Sequence, residues 1–127
     1  MTDEPTIDDV LGEHGCVRRR LTGWDPRPQQ LALAHAVERA LAEQRHLLAE
    51  AGTGVGKSFA YLVPIVLHAL AHPGDGPVVV STRTIALQEQ LEQKDLPFLH
   101  AVLPLEWSSV TAVGRSHYVC LRRMHLA

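Results

Sequence analysis

Residues 51–58 read Ala51-Gly52-Thr53-Gly54-Val55-Gly56-Lys57-Ser58, and this stretch decides the predicted fold. Three glycines allow positive φ angles and let backbone N–H groups approach a phosphate closely. In the P-loop pattern, Lys57 reaches the β and γ phosphates of ATP and Ser58 ligates magnesium. Ala51 stands where the usual pattern has glycine. We predict a P-loop here, the alternative being a glycine-rich turn before a buried helix.

The segments around this loop alternate between predicted helices and strands. Apolar residues at three- and four-residue steps predict a helix over 29–44, and a largely buried helix is predicted over 58–71. Short apolar or β-branched runs predict strands over 46–50, 78–81 and 109–113. This alternation indicates an α/β fold with a parallel sheet of about three strands.

The composition is that of a small soluble globular protein. The chain has 127 residues, 46% of them hydrophobic and 20% charged, and a formal net charge of −2. It contains no apolar run long enough for a membrane span, and its acidic start lacks the positive region of a signal peptide. We therefore predict a cytoplasmic protein with no membrane partner. In a reducing compartment its two cysteines, Cys16 and Cys120, are not expected to form a disulfide.

Several further segments occur in a fixed order along the chain. They are Leu11–Cys16, Leu21–Gln30 with Arg27-Pro28-Gln29-Gln30 at its end, Val79–Leu91, and Val113–Cys120. Together with the P-loop they resemble the DinG-type, XPD-like iron–sulfur branch of superfamily 2 DNA helicases. The resemblance covers nearly the whole chain. It implies an incomplete RecA-like P-loop NTPase domain.

The resemblance assigns a nucleotide role to Gln30 and its neighbour Arg27. Gln30 lies at the spacing from Gly56 at which superfamily 2 helicases keep a glutamine that reads adenine. An amide can pair at once with a donor and an acceptor on the adenine edge. A polar residue in the first turn of a helix is an equally good interpretation of Gln30.

The segment Thr82-Arg83-Thr84 looks like the motif Ia of that branch, which contacts DNA. At the end of the predicted strand 78–81, hydroxyl and backbone N–H groups could hold a nucleic-acid phosphate. The alternative is that these threonines cap the following helix.

The segment Gly114-Arg115-Ser116-His117-Tyr118-Val119-Cys120 is similar to the one that delivers the first cluster cysteine in the branch. Cys120 is then a candidate ligand of a [4Fe-4S] cluster in a longer protein, whose other three cysteines would follow Ala127. On its own, a cysteine here would be interpreted as a buried apolar thiol.

The resemblance implies an ATP- and Mg²⁺-dependent 5′–3′ helicase that acts on single-stranded or forked DNA in repair or replication. We expect an N-terminal arm over 1–22, a partial RecA-like domain over 23–113, and the start of an iron–sulfur region over 114–127. No carboxylate follows Glu106, so the acidic motif that orients the attacking water is missing and this portion alone should be inactive. The alternatives are a non-catalytic nucleotide- or nucleic-acid-binding module and a small P-loop phosphotransferase, for which no acceptor-binding sequence is recognisable.

Overall fold

The computed structural model describes residues 4–52 and 56–126, and in these residues the chain forms helices joined by turns and extended segments. The α-helices are α1 (Ile7–Leu11), α2 (Cys16–Arg20), α3 (Pro28–Ala42), α4 (Lys57–Ala71), α5 (Ile85–Gln90), α6 (Leu96–Val102) and α7 (Leu121–His125). A π-helical turn spans Leu91–Asp95, and a 3₁₀ turn spans Arg115–His117.

The two long helices α3 and α4 pack against each other and form the centre of the molecule. Helix α3 begins at Pro28, whose fixed φ and missing N–H suit the first helical position. Helix α4 is almost entirely apolar and contributes Ala60, Leu62 and Val63 to the core. The predicted helices over 29–44 and 58–71 are therefore confirmed, with ends that differ by one or two residues.

The N-terminal helices are packed into the core. Ile7, Val10, Leu11 and Val17 are each at most 1% exposed. A capping box holds the start of α1: the Asp9 backbone N–H donates to the Thr6 hydroxyl, and the Asp9 carboxylate accepts from the Thr6 backbone N–H. The described part of the N-terminal arm expected over 1–22 is thus packed into the core.

The predicted α/β parallel sheet is wrong, because no strand is formed in residues 4–52 and 56–126. The segments 46–50, 78–81 and 109–113 lie outside the helices, and none of their backbone groups pairs with another backbone group within the described residues. Val79 is 83% exposed and Val110 is 93% exposed. β-Branched residues favour extended backbone, but a sheet also needs neighbouring strands paired at about 4.8 Å with buried faces.

Two of these segments line an open groove beside α4. The groove has a volume of about 830 Å³. Its walls come from α4, from residues 77–82, from residues 107–114 and from the helical residues Gln88, Leu91, Glu92 and Leu96. Most residues of both segments are exposed, so burial does not order them into a sheet.

The helical stretch after this groove runs without a break from Ile85 to Val102. In the structure Pro97 lies in the first turn of α6, directly after the π-helical turn. Of the helices described, none is long and apolar enough to cross a membrane.

Candidate functional site

The candidate site is the N-terminus of α4, where the glycine-rich stretch enters the helix. Gly56 is the N-cap residue, and its φ of 78° and ψ of 44° lie in the left-handed region. Lys57 is exposed and Ser58 is half-buried. No side chain of the described residues caps this helix end, so its first N–H groups and their partial positive charge face an incoming anion. The arrangement is one that binds phosphate.

Part of the predicted loop lies outside the described residues, namely Thr53, Gly54 and Val55. On its near side, Ala51 is half-buried and Gly52 is exposed with open space around it. The described part of the loop is therefore compatible with a bound phosphate, although the assignment of all eight residues stays a prediction.

Gln30 contacts the loop directly. It is fully buried in the first turn of α3, and its Nε2 donates to the Gly56 carbonyl oxygen at 2.9 Å. Its Oε1 is also buried and has no hydrogen-bond partner within residues 4–52 and 56–126. The structure thus brings Gln30 into contact with Gly56 of the predicted P-loop, while the adenine-reading role that the resemblance implies stays a prediction. Arg27, the N-cap of α3, is exposed.

Three aromatic side chains pack next to the start of α4, a feature that the sequence did not predict. Trp24 meets Phe59 edge to face with ring centroids 5.8 Å apart, and Phe59 meets Phe98 at 5.6 Å. The Trp24 ring also lies 3.6 Å from where a Cβ on Gly56 would be. The available signal was a large aromatic just before the proline-rich entry to α3, which is easily interpreted as turn sequence.

Ser58 lies close to a tyrosine on the next turn of α4. Burial raises the pKa of the Tyr61 phenol, and the nearby Ser58 hydroxyl acts in the opposite direction. The negative charge of Asp95, in the π-helical turn, raises that pKa further. Tyr61 therefore stays neutral at physiological pH, next to the residue predicted to ligate magnesium.

The predicted DNA-contacting residues lie at the start of α5. Thr84 is its N-cap, and the Thr84 hydroxyl accepts from the Leu87 backbone N–H at 3.2 Å. The Thr82 hydroxyl donates to the Thr84 carbonyl oxygen at 3.4 Å, and Arg83 is exposed. The capping alternative is thus realised for Thr84, while Arg83 remains available to a ligand.

Cys120 is exposed at the start of α7. The preceding turn is held by Tyr118, whose hydroxyl accepts from the Val113 backbone N–H at 3.1 Å. Within the described residues no three His, Cys, Asp or Glu side chains gather into a possible metal site. Since the sequence has only one other cysteine, Cys16, these residues alone do not fit a four-cysteine cluster.

Comparison with known families gives a match to the DEAD/DEAH box helicase model over residues 27–117. The chain belongs to the DEAD/DEAH box helicase family. The matched region includes Gln30, the P-loop, α4 and α5. This match confirms that the chain belongs to a helicase family, as the motifs indicated.

Individual relatives agree with this assignment. The chain is 46% identical over 107 residues to the ATP-dependent helicase DinG of Mycobacterium tuberculosis, which covers 81% of this chain and 16% of the relative. It is 34% identical over 124 residues to the ATP-dependent DNA helicase YoaA of Haemophilus influenzae. That alignment covers 98% of this chain and 18% of the relative. It is also 34% identical over 110 residues to the 3′-5′ exonuclease DinG of Bacillus subtilis, covering 87% and 12%.

The chain thus spans less than a fifth of the length of these relatives. No solved structure was found to match it. The relatives support a DinG-type helicase segment, as predicted, and the direction of unwinding and the iron–sulfur cluster lie beyond what these similarities show.

Proposed function

We propose that this chain is the ATP-binding N-terminal portion of an ATP-dependent DNA helicase that moves 5′ to 3′ and serves DNA repair or replication. The observation that carries the proposal is the N-terminus of α4. There a left-handed glycine, a lysine and a serine stand at a helix end that no side chain of residues 4–52 and 56–126 caps, within a chain of the helicase family.

The chemistry of the site follows from these groups. The N–H groups at the start of α4 bind the β-phosphate, and the Lys57 ammonium neutralises charge between the β and γ phosphates. The Ser58 hydroxyl would help to hold Mg²⁺, which would supply positive charge to the phosphates. Gly56, Lys57 and Ser58 follow one another at the start of α4, in the order that the P-loop pattern has for MgATP. These residues therefore fit MgATP.

DNA is the proposed partner, in single-stranded or forked form. Thr82, Arg83 and Thr84 stand at the entry to α5, and the exposed Arg83 supplies a cation for a DNA phosphate. A chromosomal DNA substrate in a bacterial cell would place the protein in the cytoplasm. Cys120 is proposed as one ligand of an iron–sulfur cluster that cysteines elsewhere in a longer protein would complete.

A non-catalytic nucleotide-binding module is the second candidate, because a helix N-terminus can hold phosphate without hydrolysing the nucleotide. Within these 127 residues no carboxylate follows Glu106. Hydrolysis needs an acidic group that holds magnesium and orients the attacking water. We therefore expect the 127-residue chain to bind ATP without turning it over. Phosphate release at the rate of a helicase ATPase from this chain alone would contradict that expectation.

ATP binding is tested with a fluorescent ATP analogue and magnesium. Lys57→Ala removes a charge-assisted contact, and affinity should fall by about tenfold or more. Lys94→Ala is the matched control, because Lys94 is the other lysine of the chain and is exposed on the π-helical turn. Equal affinities of the wild-type chain and Lys57→Ala would refute the P-loop assignment.

A further inference from the structure

Two histidines at the C-terminal end of α4 form a feature that the proposed function does not use. His68 and His72 are four positions apart, so their side chains lie on one face of this helix end. Their rings stack with centroids 4.4 Å apart and an angle of 27° between the ring planes. His68 is half-buried and His72 is exposed, so solvent reaches the pair.

A backbone hydrogen bond sets the tautomer of His72. Its Nδ1 lies 3.0 Å from the His68 carbonyl oxygen, and the His72 backbone N–H donates to the same oxygen. A carbonyl can only accept, so Nδ1 carries a proton and Nε2 of the neutral ring keeps its lone pair. A histidine that binds a metal through one nitrogen commonly donates its other ring N–H to such a carbonyl.

The spacing of the two rings suits a metal ion. Two histidines four positions apart on a helix can bind one zinc ion between them. Zinc lies about 2.1 Å from an imidazole nitrogen, so two nitrogens at its tetrahedral angle are about 3.4 Å apart. The χ2 torsion of histidine is broad, so a turn of the His68 ring brings one of its nitrogens to this distance from Nε2 of His72.

The surroundings of the pair favour a cation. A hollow of about 360 Å³ is lined by the two histidines, by Asp75 and by residues from 40–45. The C-terminal ends of α3 and α4 meet at this hollow, and each end carries partial negative charge. Arg45 is the opposing charge, and its Nε lies 3.5 Å from a carboxylate oxygen of Glu43.

The protein supplies two ligands at this position. Within residues 4–52 and 56–126 no three His, Cys, Asp or Glu side chains gather into a metal site, so water would take the remaining positions around the ion. Imidazole nitrogen suits Zn²⁺, Cu²⁺ and Ni²⁺, whereas Mg²⁺ prefers oxygen ligands. The pair therefore differs in its metal preference from the phosphate site at the other end of α4.

We propose that His68 and His72 together bind a divalent transition-metal ion such as Zn²⁺, with one imidazole nitrogen from each side chain. The ion ties His72, the C-cap residue of α4, to the last turn of the helix. Because it joins two side chains that the fold holds side by side, it stabilises the folded chain. The proposal is independent of ATP binding, which is assigned to the N-terminus of α4.

Zinc binding is measured by isothermal titration calorimetry on a parent chain that carries Cys16→Ser and Cys120→Ser, because thiolates also bind zinc. His68→Gln and His72→Gln should each weaken zinc binding by at least about tenfold, the loss that follows even from removing a partner of a metal ligand. His125→Gln is the matched control and should leave the affinity unchanged. His125 is exposed on α7 and has no histidine three or four positions before it.

The outcomes separate a paired site from binding by single histidines. If either His68→Gln or His72→Gln binds zinc as tightly as the parent chain, the pair is overturned as the site. A parent chain without saturable zinc binding overturns it as well. Zinc should raise the thermal midpoint of the parent chain and of His125→Gln, but not that of His68→Gln or His72→Gln. Equal rises in all four chains would mean that zinc binds elsewhere.

A second measurement uses the parent chain with all eight histidines, in case the histidine variants do not fold. The ring signals of the histidines are followed by NMR during titration with zinc. Those of His68 and His72 should shift together, saturate at the same zinc concentration and precede those of the other histidines. Shifts that begin at other histidines, or at only one of the two, would overturn the proposal.

Discussion

The Gln30 side-chain amide donates to the Gly56 carbonyl oxygen at 2.9 Å, across 26 positions of sequence. This bond joins the first turn of α3 to the N-cap of α4, the helix whose N-terminus is the proposed phosphate site. Since α3 and α4 also pack along each other, the geometry of the phosphate loop depends on how these two helices are placed.

Gly56→Ala should destabilise the fold. A left-handed φ costs a residue with a Cβ about 1–2 kcal/mol, and the new methyl group would also collide with the Gln30 amide. We expect the free energy of unfolding, measured by urea denaturation, to fall by at least about 1 kcal/mol.

Gly74→Ala is the matched control for that variant. Gly74 lies in the turn after α4, and a Cβ there meets nothing within 4 Å. Its effect on the free energy of unfolding should stay within about 0.5 kcal/mol. Equal effects of the two substitutions would show that Gly56 is not confined as described.

The capping box of α1 should make stability depend on pH. The hydrogen bond from the Thr6 backbone N–H, with that from the Thr6 hydroxyl, lowers the pKa of Asp9 from its ordinary value of 3.8. The stabilising effect of the ionised Asp9 carboxylate is thus present above pH 3.8 and is lost as the pH falls through the lowered pKa. Asp9→Asn should reduce the thermal midpoint at pH 7, and the difference from wild type should shrink below pH 3.8.

Thr6→Ala removes the other half of this box and should cost about 1 kcal/mol at pH 7. Thermal melts of both variants across pH 2.5–7 check the prediction. A difference between Asp9→Asn and wild type that is the same at all these pH values would contradict it.

The two cysteines should differ in reactivity. Burial raises the pKa of the Cys16 thiol, whereas Cys120 is exposed. Because the thiolate is the reacting form, a maleimide reagent should label Cys120 faster at pH 7.5. Rates are measured on Cys16→Ser and Cys120→Ser, each of which keeps one thiol. Faster labelling of Cys16 would mean that the packing of α2 is not as described.

Hydrogen exchange should separate the extended segments from the helices. The backbone N–H groups of residues 78–80 and 109–112 have no backbone partner among the described residues, so they should exchange close to the rate of an unfolded chain. The amides of residues 61–63, 65 and 66, within α4, should exchange far more slowly. Comparable protection in both regions would reveal backbone pairing that the structure lacks.

The long helices could be predicted from sequence because their signals are local. Apolar residues at helical spacing mark α3 and α4, and Pro28 and Gly56 mark where they begin. The sheet was predicted wrongly because pairing between strands is not local. The Val78–Val80 run favours extended backbone, but nothing in that run determines whether another segment pairs with it.

In the candidate site, too, local features could be predicted from sequence and contacts between distant segments could not. The Gly56-Lys57-Ser58 sequence predicts a phosphate site, and the family resemblance predicts a nucleotide role for Gln30. The sequence did not show that Gln30 bonds to the loop backbone or that Trp24 packs beside Gly56, because both contacts depend on the relative placement of α3 and α4.

The central claim is that the N-terminus of α4 binds the triphosphate of ATP, and backbone amide NMR tests it most directly. During titration with MgATP, the amide signals of Gly56, Lys57 and Ser58 should show the largest shifts and should saturate. The same titration of Lys57→Ala should give much smaller shifts, whereas Lys94→Ala should behave like wild type. The account is contradicted if these three amides do not move, or if Lys57→Ala responds as the wild-type chain does.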